Sequence, residues 1–159
     1  MGLKNDISIL RHEGKYNKYI EHMLKKNDIF NVIPYDFEYN SYNNYITNEI
    51  LNKNIFSFSL NIENKNIGFL SLVDFDWENR NCRIICSVFD KYLDDIEIKH
   101  VKLSIEKILE FCKNDLRIKR VWGITYNGNP YSSMILDDLF SFEGTSKNKD
   151  ILYYGYVFE

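Results

Sequence analysis

Cysteine, proline and glycine are all scarce in this chain: 3, 2 and 7 of 159 residues. Three cysteines cannot build the disulfide framework of a small secreted domain. Cys82 and Cys86 fall on one face of an apolar strand, about 13 Å apart along it. They read as small core residues rather than a metal pair. No His/Cys/acid spacing of a metal site, no Ser-His-Asp order and no Walker loop is present. No apolar run reaches transmembrane length, and the N-terminus has no apolar core of a signal peptide, which points away from a membrane and toward the reducing cytoplasm. Positive charge is not in excess either. Lys and Arg number 20 against 23 Asp and Glu, a formal charge of -3, so there is no basic footprint for nucleic acid. Repeats, low-complexity linkers and breaks in composition are missing, so residues 1–159 read as a single domain.

What is present is apolar and aromatic. Hydrophobic residues make up 45% and aromatics 16%, enough for one domain with a substantial core. Asp6–Arg11 alternates as a short strand. Tyr19, Ile20, Met23 and Leu24 recur at helical spacing within Tyr16–Lys26, and Tyr42, Tyr45, Ile46 and Ile50 do so within Ser41–Leu51. Between them Pro34 breaks an aromatic loop. Ile55–Asn61, Ile67–Phe75 and Cys82–Phe89 read as strands joined by the turn signals Asn64-Lys65-Asn66 and Asn79-Arg80-Asn81. Ile98, Val101, Ile105, Ile108, Leu109 and Cys112 form the stripe of a helix packed on a sheet, over Ile98–Asn114. Arg120–Tyr126 is a strand, Pro130 to about Leu139 a helix, and Ile151–Phe158 a last strand. The order β-α-α-β-β-β-α-β-α-β-β predicts an α/β fold with a mixed central sheet and helices on both faces.

The stretch Ile118–Gly144, IKRVWGITYNGNPYSSMILDDLFSFEG, carries the most specific pattern. Arg120-Val121, Asn129, Ser132, Leu139, Phe140 and Glu143-Gly144 occur in the order Arg-Val, strand, Asn-x-x-Ser, helix, Leu-Phe, Glu-Gly. This resembles the GNAT (GCN5-related N-acetyltransferase) superfamily, in the branch that acetylates ribosomal-protein N-termini, polyamines and amino sugars. The glycine that this branch places between Leu and Phe is missing between Leu139 and Phe140. The element order over nearly the whole chain is also that of the GNAT fold.

The resemblance implies an acyl-CoA-dependent N-acyltransferase, with acetyl-CoA or another acyl-CoA as co-substrate and no metal. It implies that a Gly-rich loop before the main helix holds the diphosphate of coenzyme A on backbone N–H groups. In this chain that loop falls near Asp94–His100, where both glycines are absent and Glu97 and Lys99 stand in place of small residues. Ile98, Lys99 and His100 are the donor-binding positions at the helix start. Asp94, Asp95 and Glu97 crowd the anion's position. One such charge about 4 Å away costs roughly 1 kcal/mol in water and about 4 kcal/mol at a partly buried site. Lys91, Lys99, His100 and Lys102 are the cations at hand to offset it. The same acids equally suit an ordinary helix N-terminus.

The resemblance also places the main-chain donor that polarises the acyl carbonyl near Ser87, Val88 and Phe89. It assigns Asn129 to the pantetheine arm, and Ser132 or its neighbour Tyr131 to protonation of the leaving thiolate. Read locally, Asn129 is an N-cap, Pro130 the first helical residue and Ser132 part of the first turn. Many members of this branch carry an acid on the central strand where this chain has Arg83. Glu21, Tyr35 and Phe37 fall in the segments expected to form the acceptor pocket, with His22 and Glu38 nearby. The acceptor that the resemblance implies is an amine of a small molecule or peptide. A donor carried on an acyl carrier protein would relax the need for the glycines. The alternative is a noncatalytic GNAT-like protein acting as a binding or accessory subunit, for which a homodimer is one assembly.

Overall fold

The computed structural model describes residues 5–9, 56–62, 65–88 and 98–159. It contains β1 (Asn5–Ile9), β2 (Phe56–Ile62), β3 (Lys65–Asp76), β4 (Asn81–Val88), α1 (Ile98–Asn114), β5 (Arg120–Tyr126), α2 (Pro130–Leu139), β6 (Ser141–Thr145) and β7 (Ile151–Val157). The strands form one seven-stranded sheet in the order β1-β2-β3-β4-β5-β7-β6. All neighbours are antiparallel except β4 and β5, which are parallel. The sheet is therefore mixed, as the element order predicts. The expected helices Tyr16–Lys26 and Ser41–Leu51 lie outside the described residues, as does the aromatic loop around Pro34.

Short polar turns set the meander. Between β3 and β4 the Asp76 carboxylate accepts from the Asn79 backbone N–H at 3.0 Å and from its side-chain Nδ2 at 2.8 Å. Both bonds hold the Asp76 carboxyl below its usual range. An aspartate that closes a turn on itself is the chemistry the Asn79-Arg80-Asn81 signal anticipates. The β3–β4 register slips between Val73 and Asp76, and Asp74 sits there with φ +50°.

Alternation sorts the sheet into two faces. Phe58, Leu60, Leu70, Leu72, Cys82, Ile84, Cys86, Val121 and Tyr154 pack with Val101, Ile105, Ile108, Leu109 and Cys112 of α1 and with Ile135 and Leu136 of α2. The α1 stripe is the one the sequence predicts. Fully burying one such Leu or Ile stabilises by about 1.5–3 kcal/mol. The three cysteines are buried and form no disulfide, and Cys82 is hydrogen-bonded to Cys112. That bond and burial push the Cys82 thiol up, so the pair behaves as packing material. Ser71, Val73, Arg83, Ile85 and Ile124 are buried on the opposite face.

The far edge of the sheet is pinned by two residues of the quoted motif. The Arg120 guanidinium of β5 pairs with the Glu143 carboxylate of β6, across the intervening β7. The Glu143 side chain crosses β7 at Gly155, where a methyl group would collide with the carboxylate. A larger residue at 155 would make the Glu143 side chain shift and so disturb its pairing with Arg120.

Candidate active site

The parallel pair β4–β5 is joined by α1, an apolar crossover helix, as β-α-β units are built. Its register is Asn81↔Arg120, Cys82↔Val121 and Arg83↔Trp122, and there it ends. Both strands continue. β4 stays paired to β3 as far as Gly68↔Val88, and β5 stays paired to β7 as far as Tyr126↔Ile151. The two halves of the sheet thus keep their outer partners while parting from one another. The result is a slit walled by two main chains, open at the C-terminal ends of both strands. Crevices of this kind at strand ends are where ligands sit in α/β sheets.

Both helices begin at the open end, α1 after β4 and α2 directly after β5. The β5–α2 connection is a tight turn in which the Asn129 N–H donates to the Tyr126 carbonyl at 3.2 Å. Gly128 holds φ +89° at its third position, a conformation that other residues reach only with strain. Asn127 fastens this turn to the β6–β7 hairpin. Its N–H donates to the Asp150 carbonyl at 2.8 Å and its Nδ2 to the Lys149 carbonyl at 3.1 Å. Asn129 then occupies the N-cap position and Pro130 the first helical position, as their residue types suit.

The topology brings most of the expected site residues to this one end. Ser87 and Val88 are the last two residues of β4. Ile98, Lys99 and His100 open α1. Asn129 is half-buried just before α2, and Tyr131 and Ser132 stand in its first turn. Phe89, Glu21, Tyr35 and Phe37 lie outside the described residues, as do Lys91, Asp94, Asp95, Glu97, His22 and Glu38. The first turn of α1 contains no acid. Lys99 is exposed, whereas His100 is only 4% exposed and its carbonyl accepts from the buried Ser104 hydroxyl at 3.0 Å. The His100 ring belongs to the packed interior. Among the described residues, no group of three or more His, Cys, Asp or Glu is placed to hold a metal ion. No helix among them is long and apolar enough to cross a membrane.

Three polar contacts around the slit were not legible beforehand. Arg83 sits at the last rung before the strands part. Its Nε lies 2.8 Å from the Asp74 carboxylate, and its guanidinium lies 5.6 Å from the Trp122 ring centroid. Lys102 of α1 reaches Asp138 of α2 at 2.8 Å. The Tyr154 hydroxyl donates to Asp137 of α2 at 2.8 Å. Each joins two elements, so no local spacing signals it.

The third contact has a pH signature. Burial first, and then the bond to Asp137, push the Tyr154 hydroxyl up to about 12 from an ordinary value near 10. The folded state therefore holds this proton more tightly than the unfolded chain does. The associated stability is complete below pH 10 and is lost as pH rises toward 12. Urea titrations between pH 9 and 12 should show the wild type losing more stability than Tyr154→Phe. Parallel losses would mean that this hydroxyl is not held as described.

No family model and no curated protein matches the sequence. Solved structures do match the fold. A spermidine N-acetyltransferase from Vibrio cholerae, in complex with CoA and spermine, is 14% identical with a TM-score of 0.73, covering 96% of this chain and 95% of that one. A dodecameric structure of spermidine N-acetyltransferase from the same organism, in an intermediate state, is 14% identical with a TM-score of 0.70, covering 96% and 93%. A probable acetyltransferase is 16% identical with a TM-score of 0.68, covering 95% and 91%. The chain has the fold of the GNAT N-acetyltransferases.

Proposed function

We propose that this chain is a single-domain cytoplasmic N-acyltransferase, which moves an acetyl or longer acyl group from acyl-CoA to an amine of a small molecule or peptide. The observation that supports it most is the slit between β4 and β5, with the starts of α1 and α2 gathered at its open end. A pantetheine arm is narrow and carries two amides, so it suits a gap lined by backbone donors and acceptors. A backbone N–H near Ser87 or Val88 polarises the acyl carbonyl as negative charge develops on its oxygen. The amine nitrogen bonds to the carbonyl carbon and loses a proton to solvent or a base, the C–S bond breaks, and Ser132 or Tyr131 protonates the sulfur. Asn129, at the N-cap of α2, holds the arm.

The solved complex among the neighbours contains CoA, which makes free acyl-CoA the donor to test first. Its spermine puts polyamines on the acceptor panel, beside amino sugars and peptide N-termini. Self-association belongs to the same reading, because a neighbour with this fold forms a dodecamer. The test is thiol release from acetyl-CoA and longer acyl-CoAs against that panel, with donor binding followed by thermal shift. Acyl transfer to at least one amine is expected. The missing glycines between Asp94 and His100 favour a second reading, a noncatalytic binding or accessory subunit. No thiol release with any pair would decide for it.

A further inference from the structure

Between the first turn of α1 and the stretch of α2 from Met134 to Asp138 lies an open cavity of about 480 Å³, lined by Ile98, Lys99, Lys102, Met134, Asp137 and Asp138. Both helices start at the open end of the slit, so a molecule threaded into the slit from that end leaves its remainder beside this cavity. Resting on the donor assignment above, we propose that Lys102 is the residue that recognises the adenosine-phosphate end of the donor, by exchanging Asp138 for a phosphate oxygen.

The charges in the cavity argue for an exchange. Asp137 is committed to the Tyr154 hydroxyl at 2.8 Å. Lys102 is held by Asp138 at 2.8 Å, with side chains 26% and 62% exposed. An ion pair this open to water is weakly held and readily displaced. The 3′-phosphate carries more negative charge than a carboxylate on three acceptor oxygens, and the diphosphate carries one charge on each phosphorus, so either competes for an ammonium group that has already lost part of its water. Lys99 and Lys102 lie three residues apart, on one side of the helix, and so meet the same ligand. Reach matters as well. Where glycines are absent, side chains prevent the backbone from closing on a phosphate, whereas a lysine carries its charge on a flexible four-carbon stem. Recognition of the anion thus shifts from loop N–H groups to a side chain one turn into α1. His100 takes no such part, because its ring is packed in the core.

The experiment is calorimetric titration of the full chain with coenzyme A and with 3′-dephospho-coenzyme A, for wild type, Lys102→Gln and Asp138→Asn. Lys102→Gln should weaken coenzyme A binding about tenfold or more. Asp138→Asn should tighten it a few-fold, because it removes the competitor. Thermal unfolding of both variants should stay within a few degrees of wild type, as for a solvent-exposed pair. If the loss in Lys102→Gln disappears with the dephospho compound, the contact is to the 3′-phosphate; if it persists, the contact is to the diphosphate. Unchanged coenzyme A affinity in Lys102→Gln overturns this inference and leaves the donor assignment standing. A wild type that binds no coenzyme A overturns both.

Discussion

Replacing Ser132 by alanine is expected to lower turnover by roughly a hundredfold or more while leaving donor affinity nearly unchanged, if Ser132 is the group that protonates the departing thiolate. The expectation rests on position. Ser132 lies in the first turn of α2, three residues after Asn129, at the C-terminal end of β5. Three residues along a helix return to nearly the same side, so Asn129 and Ser132 can serve one slit. Tyr131 is displaced from Ser132 by about 100°. Tyr131→Phe is therefore expected to be close to wild type, and the double variant no worse than Ser132→Ala. Thiol release under saturating donor, with the acceptor identified by the panel, separates these outcomes. Full activity in all three variants would remove the proton-donor role from this turn and leave Asn129 and Ser132 as a helix cap and its first turn.

The second large effect concerns the rung at which the strands part. Asp74→Asn should destabilise the fold by about 2–3 kcal/mol, whereas Arg83→Met should cost about 1 kcal/mol or less. The asymmetry follows from burial. The Arg83 side chain is 6% exposed and that of Asp74 is 32% exposed. Removing the carboxylate takes the counter-charge from a guanidinium where water reaches it poorly. Removing the guanidinium leaves a carboxylate that water still reaches, and methionine replaces the lost packing against Trp122. The usual 3–5 kcal/mol for breaking a buried pair is reduced here because Asp74 is partly solvated. Urea midpoints with unchanged m-values would measure both variants. Equal losses, or a larger loss for Arg83→Met, would show that the guanidinium is held chiefly by contacts other than Asp74.

The two results also mark where sequence reading succeeds and where it stops. Periodicity is a local property, and it located α1 over Ile98–Asn114 and β5 over Arg120–Tyr126 without error because burial there repeats every few residues. Strand alternation fixed which cysteines lie in the core. It did not pair Cys82 with Cys112, since that contact crosses from sheet to helix. The parallel pairing of β4 and β5 follows from the β-α-β order, whereas their parting after Arg83↔Trp122 does not. The cap at Asn129 and Pro130 was legible because turn chemistry involves near neighbours in sequence. In the sequence Arg83 stands out only as a substitution for an expected acid. Its partner Asp74 lies across a hairpin whose register slips between Val73 and Asp76, and no pattern in the chain announces that slip. Lys102 was one of four cations at hand, and only the packing of α1 on α2 separates it from the interior His100. The motif residues Arg120 and Glu143 matched by spacing, yet what joins them is a clasp over Gly155, away from any chemistry.

The slit that begins after Arg83↔Trp122 is made by the divergence of two backbones rather than by the carving of side chains. Its width is set by how each strand is committed to its outer neighbour, and those commitments survive any side chain that tolerates a pleated sheet. A gap of this origin is inherited through the peptide framework, while the residues around it drift. That is one physical reason why a chain can share about one residue in seven with a solved neighbour and still superpose along nearly its whole length. Selection on such a scaffold acts mainly at the rims, where loops and helix starts decide which molecule may enter, and the opening itself comes with the topology.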